Sequence, residues 1–166
     1  MVTACSLLTN DAAGACPDRH TVYFSIGSNI GNRKALVREA VSRLASEVGR
    51  VTAFSSLYET EPWGFSSPNK FINACACCLT LLTPRQVLVA TQRIERCMGR
   101  TLKSVDGVYH DRVIDIDILL YDDVRLDEPG LQIPHPHMAQ RAFVMDPLRE
   151  IWPGDEDSLQ KLLPKS

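Results

Sequence analysis

The chain has 166 residues, 45% of them hydrophobic and 23% charged, enough for one ordinary core and too few for a second full domain beside it. A formal net charge of -2 leaves no overall basic footprint, which argues against a nucleic-acid binder. Met1 to His20 has no cationic stretch ahead of Leu7-Leu8 and no long apolar run, so neither a signal peptide nor a membrane span is expected. Residues 1–20 then read as a disordered leader and 21–166 as a single domain of a cytoplasmic, monomeric protein.

Thr21 to Ile26 has the composition of a first strand, and Gly27-Ser28-Asn29-Ile30-Gly31-Asn32 carries the turn chemistry that ends it. Val37, Ala40, Val41, Leu44 and Val48 recur at helical spacing, with Gly49 in the place of a C-cap. Residues 51–58 alternate as a second strand. Glu59 to Lys70, with two prolines, a glycine and two serines, is a long loop of the kind that often carries function. Phe71 to Leu82 is apolar on both faces apart from Asn73 and Thr80, as a central strand is. Thr83 caps a second helix with Pro84 in its first position, and Val87, Ala90, Thr91, Ile94 and Met98 form its buried stripe up to Gly99, with Gln92, Glu95 and Arg96 pointing elsewhere. Arg100 to Asp111 is a second long loop. After the strand that follows, Leu131 to His135 reads as a short final strand ahead of irregular, proline-punctuated chain. The order βαββαβ predicts a ferredoxin-like α+β fold, an antiparallel sheet with helices packed on one face and mobile loops over the other.

Of the six cysteines, Cys75, Cys77 and Cys78 crowd one strand, Cys5 and Cys16 fall in the leader, and Cys97 sits on a helix. Reduced, buried thiols are expected, and the C-x2-C spacing of Cys75 and Cys78 lies on a strand rather than on the turn that a metal knuckle needs.

The most informative stretch is Val113 to Tyr121. Strand periodicity puts Asp115 and Asp117 on one face and Ile114, Ile116, Ile118 and Leu120 on the other. Two carboxylates roughly 7 Å apart repel by about 2 kcal/mol at an effective dielectric of about 20. A wet sheet face is the bland explanation. A divalent cation is the sharper one, and magnesium, held by one or two carboxylates with phosphates and water, is the natural candidate. Glu95, Arg100, Lys103 and Arg112 lie close enough in sequence to converge on the same ligand.

The chain has neither a G-x-x-x-x-G-K-[ST] nor a G-x-G-x-x-G sequence. Phosphate binding therefore falls to side chains: Arg100, Lys103, Arg112, His135, His137 and Arg141. Basic groups around an acidic pair suit phosphoryl transfer, in which the protein positions the groups and neutralises charge. Two other readings use the same features, a non-catalytic ligand- or RNA-binding ferredoxin-like module and a metal-dependent phosphoesterase. The first expects aromatics where this chain has acids, and the second uses the same aspartates with water as the acceptor.

From Thr21 to Ile151 the sequence resembles the 6-hydroxymethyl-7,8-dihydropterin pyrophosphokinase family of folate biosynthesis. The resemblance rests on six motifs in order: Ser25-Ile26-Gly27-Ser28-Asn29; Tyr58-Glu59-Thr60-Glu61-Pro62-Trp63-Gly64; Phe71-Ile72-Asn73-Ala74; Gln92-Arg93-Ile94-Glu95 with Gly99-Arg100; Arg112-Val113-Ile114-Asp115-Ile116-Asp117; and Ile133-Pro134-His135-Pro136-His137 with Arg141-Ala142-Phe143. It implies transfer of pyrophosphate from ATP to the pterin hydroxymethyl oxygen with release of AMP, and two magnesium ions on Asp115 and Asp117. It also implies a pterin held between Phe143 and Tyr109, read at its edge by Asn73, and enclosed by Thr60, Pro62, Trp63 and Phe71. On the nucleotide side it places Gln92, Glu95, Arg100, Arg112, Ile116, His135 and Arg141, with Arg112 on the bridging phosphates and Arg100 beside Arg112, Asp115 and Asp117 in the catalytic set.

This chain departs from the family's pattern at four places. Tyr109 stands where many members have tryptophan, His110-Asp111 takes the place of the usual Gly-Pro or similar pair, Leu102 stands where an arginine is often found, next to Lys103, and Pro136 where an aromatic hydroxyl can occur.

Overall fold

A computed structural model describes residues 18–100 and 108–165. Four strands form the path β2-β4-β1-β5, all neighbours antiparallel: β1 (His20–Ser28), β2 (Gly49–Phe54), β4 (Phe71–Thr80) and β5 (Asp115–Tyr121). The short β3 (Tyr58–Thr60) extends the β2 edge along β4, and Ser55 carries the ladder across the gap, its N–H donating to Cys75 O at 2.9 Å and its Oγ accepting from Cys75 N at 2.9 Å. Helices α1 (Arg33–Glu47) and α2 (Pro84–Cys97) complete the expected βαββαβ order. The Thr83 hydroxyl and Gln86 side chain form a capping box at the start of α2, and Gly99 ends that segment with φ +97°.

Two apolar layers result. Phe24, Ile26, Leu44, Ile72, Ile94, Ile114 and Ile116 fill the space between the sheet and α1 and α2. On the opposite face Tyr23, Cys75, Cys77, Leu119 and Leu120 meet Met145 and Leu148 of α3 (Ala142–Ile151), with Leu159 of α4 (Glu156–Gln160) beside them. The second face is thus shared between loops and a helical C-terminal segment. The chain beyond His135, expected to be irregular, holds a 3-10 turn (Met138–Gln140) and these two helices, with Pro147 accommodated inside α3. Leu131–Ile133 (β7) pairs with an unforeseen partner, Leu126–Glu128 (β6), in a separate hairpin, and just beyond it the His135 N–H donates to Leu119 O of the main sheet at 2.9 Å.

Three local expectations are corrected. Leu120 lies in the same layer as Tyr23, opposite the isoleucines, because β5 carries one extra residue: Phe24 pairs with Ile118 but Tyr23 with Leu120, so Leu119 bulges and the alternation inverts. Gly49 does not supply a left-handed cap. It opens β2, where an added Cβ would lie 2.1 Å from the Leu79 carbonyl oxygen, so backbone proximity is what excludes a side chain. Glu95 does not point away from the core stripe but is 5% exposed within it.

Cys75 and Cys78 are buried and free on opposite faces of β4, which removes any chelating role for their spacing. Burial pushes the Cys78 thiol up to about 12 and raises Cys75 as well. No helix among the described residues is long and apolar enough to cross a membrane. Residues 1–17 of the expected leader, and Leu102 and Lys103, lie outside the described residues.

Candidate active site

The site lies on the sheet face away from α1 and α2. In the antiparallel register Asp115 stands beside Gly27 and Asp117 beside Ser25, so the two carboxylates border small residues and the space above them stays open. On the far side of β1, Asn73 pairs with Gly27. A Cβ at Gly27 would come within 2.8 Å of Asn73 Oδ1, so glycine is needed there for the amide to lie across β1. Asn73 is 4% exposed and its Nδ2 donates to Thr60 Oγ1 at 2.7 Å, which explains a polar residue in the central strand.

Asp115 is the centre of a buried charge chain. Its Oδ2 pairs with Arg112 Nη1 at 2.7 Å, and its Oδ1 accepts from Arg100 Nη1, which also donates to Glu95 Oε1 at 2.7 Å. Glu95 Oε1 in turn accepts from Ile116 N–H at 2.8 Å and so pins α2 to β5. Burial by itself would raise the Asp115 carboxyl, but Arg112 and Arg100 outweigh it and hold it below the ordinary carboxylate range.

Asp117 has a different environment. Its Oδ2 is 4.0 Å from His135 Nε2, and its side chain keeps 35% of its surface open toward the cleft. Asp117 lines both clefts, with about two-thirds of its side chain covered by protein. Burial therefore leads, followed by the like charges of Asp115 and Glu95, and together they push the Asp117 carboxyl up to about 7 against the pull of Arg141 and Arg100. His135 shifts the other way. Burial and then the positive charge of Arg141 bring it down to about 4, so at neutral pH it offers a neutral ring rather than the cation expected among the phosphate-binding groups.

Two clefts meet at this acid pair. One is lined by Thr60, Trp63, Phe71, Asn73, Tyr109 and Phe143, as anticipated, together with Phe65 and Glu61. Pro62, expected in the same set, is half-buried and is not part of that lining. Phe65 meets Phe71 edge-on at 6.2 Å between ring centroids. The second cleft brings together Gln92, Glu95, Arg100, Arg112, Ile116, His135 and Arg141, the whole nucleotide set expected from the motifs, with Leu88 and Thr91 of α2 added. Asp115, Asp117, Arg112, Tyr109 and Arg141 line both clefts.

Arg141 forms part of the wall between them. It is 7% exposed, its guanidinium stacks on Trp63 with Cζ 4.4 Å from the ring centroid, and its Nη2 donates to Tyr109 Oη at 3.1 Å. Its Nε is buried without a hydrogen-bond partner among the described residues.

An acid pair with arginines on one side and an aromatic, amide-edged cleft on the other suits a transferase that brings a phosphorylated donor to a flat acceptor. The comparisons give the particular family. Residues 23–153 match the model of the 7,8-dihydro-6-hydroxymethylpterin-pyrophosphokinase (HPPK) family. The chain is 50% identical over 133 residues to the 2-amino-4-hydroxy-6-hydroxymethyldihydropteridine pyrophosphokinase of Porphyromonas gingivalis, covering 80% of this chain and 90% of that one. To the Bacillus subtilis enzyme of the same name it is 40% identical over 130 residues, covering 78% and 76%. Among solved structures it is similar to Plasmodium falciparum HPPK-DHPS, wild type with pteroate, at TM-score 0.62 and 15% identity over 80% of this chain. The chain spans 41% of that longer protein, and at such identity the likeness shows the fold alone. The chain belongs to the 7,8-dihydro-6-hydroxymethylpterin-pyrophosphokinase family, and its reaction is pyrophosphoryl transfer in folate biosynthesis.

Proposed function

We propose that the chain is an ATP- and magnesium-dependent enzyme that joins the two clefts across Asp115 and Asp117. The pterin occupies the aromatic cleft between Phe143 and Tyr109, with Asn73 and Thr60 at its hydrogen-bonding edge. ATP lies along the second cleft, with Arg100, Arg112 and Arg141 on its phosphates and Gln92, Glu95, Ile116 and His135 along the nucleotide. The hydroxymethyl oxygen bonds to the β-phosphorus, the bond from that phosphorus to the α,β-bridging oxygen breaks, AMP leaves, and the hydroxyl proton is lost to water. The observation that carries this reading is the sharing of Asp115, Asp117, Arg112 and Arg141 by both clefts, which puts donor and acceptor within reach of one another.

The donor set suits magnesium. Asp115 and Asp117 share a face, and one or two carboxylates with phosphates and water are what that ion takes. No group of three or more His, Cys, Asp or Glu side chains suited to a metal occurs among the described residues, so substrate oxygens and water must complete the shell of each of the two ions we assign. A bound dication supplies charge neutralisation of the phosphates and would reverse the crowding that raises Asp117. The chain's own part is to orient the phosphates with Arg100 and Arg112 and to keep the pterin face in contact with aromatic rings. Arg100 and Arg112 both engage Asp115, so the same guanidiniums would tie the acid pair to the phosphates.

We also propose that residues 21–166 act as one pyrophosphokinase domain, as a cytoplasmic monomer on small molecules alone, with no nucleic-acid or membrane partner. The decisive assay is AMP release from ATP and magnesium with and without 6-hydroxymethyl-7,8-dihydropterin. Pterin-dependent AMP is expected. ADP as the product, or ATP cleavage independent of pterin, would overturn the reading.

A further inference from the structure

The pair His110-Asp111, where this chain departs from the family's pattern, stands at a junction between the two loops that border the clefts. Asp111 Oδ1 accepts from Asn29 Nδ2 at 2.7 Å, and Asp111 Oδ2 accepts from Asn69 Nδ2 at 3.0 Å. Asn29, which follows β1, is 2% exposed. Its backbone N–H donates to Arg112 O at 3.1 Å and its Oδ1 accepts from Arg112 N–H at 2.7 Å, so both backbone polar groups of Arg112 end on this one residue. The 61–70 loop is held to the same point, since Asn69 presents its carbonyl oxygen to Asn29 Nδ2 at 3.4 Å.

The loops also meet nearer the cleft. The Tyr109 ring lies against Gly64, where an added Cβ would be 3.0 Å from a ring carbon, and it meets Trp63 edge-on at 5.6 Å between centroids. Two residues past Tyr109 the Asp111 carboxylate is the common acceptor for both loops, and one residue further Arg112 enters the charge chain at Asp115. A carboxylate receiving amide donors from two separate segments holds a fixed distance between them, because charge-assisted bonds are short and stronger than neutral ones.

We propose that Asp111 is a positioning residue for pyrophosphoryl transfer: it straps the 61–70 loop to the segment bearing Tyr109 and Arg112, and so sets the spacing between the pterin wall and the phosphate-directed guanidinium. This rests on the functional reading above. Asp111 lines neither cleft and acts through its neighbours. Misplacing a positioned group by about an ångström is enough to lower turnover on the order of a hundredfold.

The test compares Asp111→Ala, Asp111→Asn and the exchange Asn29→Asp with Asp111→Asn, which gives the Arg112 N–H, the Asn69 amide and the 29–111 contact a donor and an acceptor again and gives up only the long Asn69 carbonyl contact at 3.4 Å. Asp111→Ala is expected to lower kcat by about tenfold to a hundredfold at temperatures well below its melting point, with less than about a threefold change in the ATP KM. Amide hydrogen exchange over 61–70 and 108–112 is expected to rise, with β1 and β4 unchanged, and Asp111→Asn should fall in between. The exchanged pair should recover both turnover and protection. Wild-type turnover in Asp111→Ala, faster exchange spread over the whole sheet, or an exchanged pair that regains stability but not kcat would overturn the assignment. Should Asp111→Ala not fold, Asp111→Asn and the exchanged pair decide the matter by the same readings. An unmutated protein without pterin-dependent AMP would instead refute the functional reading, and the exchange data would still report whether the strap exists.

Discussion

Truncating Glu95 tests the strongest energetic claim made for this site, that one buried carboxylate holds α2, β5 and Arg100 together. The Glu95 side chain is 6% exposed and that of Arg100 10%. In Glu95→Ala the Ile116 N–H loses its acceptor at 2.8 Å inside the core, a loss of about 1–3 kcal/mol. The same change removes a carboxylate from a nearly buried guanidinium, and breaking such a pair by deleting one partner typically costs about 3–5 kcal/mol. Both contacts end on the same oxygen, so the losses overlap rather than add, and about 3–5 kcal/mol is expected in all. Glu95→Gln keeps a carbonyl oxygen for Ile116 N–H, and Arg100 keeps its contact with Asp115, so about 1–2 kcal/mol is expected. For a chain of this size the alanine variant should then melt about 6–20 °C below the parent. Urea unfolding at pH 7, followed by circular dichroism for all three proteins, reads these differences directly. Equal losses for alanine and glutamine, or a loss below about 1 kcal/mol for alanine, would refute the role assigned to the Ile116 bond.

Asp117→Asn should abolish AMP formation while altering the pH dependence of stability in magnesium-free buffer. The folded carboxyl is raised to about 7, so between the unfolded value near 4 and about 7 the native state holds the extra proton and stability declines as pH rises. The asparagine variant should flatten that decline in melting temperature, and an unchanged slope would refute the shift. Gly27→Ala should displace Asn73 Oδ1, 2.8 Å from the new Cβ, and break its partner bond to Thr60. Calorimetry should then find pterin binding weakened about tenfold, as losing one buried hydrogen bond implies, with ATP binding unchanged. Arg112→Ala should depress kcat with little change in either KM, and a change confined to KM would mean uniform binding instead of transition-state stabilisation.

Features that depend on near neighbours in the chain could be read before folding. The two-residue period put Asp115 and Asp117 side by side, Thr83-Pro84 with Gln86 announced the start of α2, and a lone Asn73 in an apolar run pointed to a buried polar partner. The six motifs likewise supplied the residues that line the two clefts, apart from Phe65, Leu88, Thr91, Tyr109 and Gly130. What escaped was relational. The bulge at Leu119 exists only in the count of β5 against β1, and it alone decides which core receives Leu120. Gly49 is required by a carbonyl thirty residues away, and Glu95 is buried because Arg100 and a strand N–H satisfy its charge. His135 loses its expected positive charge because Arg141 and burial act on it together. The strap at Asp111 joins residues 40 and more apart in sequence, a contact no local period encodes. Periodicity and capping are properties of one segment, and could be read from the chain alone. Register, burial and charge balance are properties of pairs of segments, and only their packing decided them.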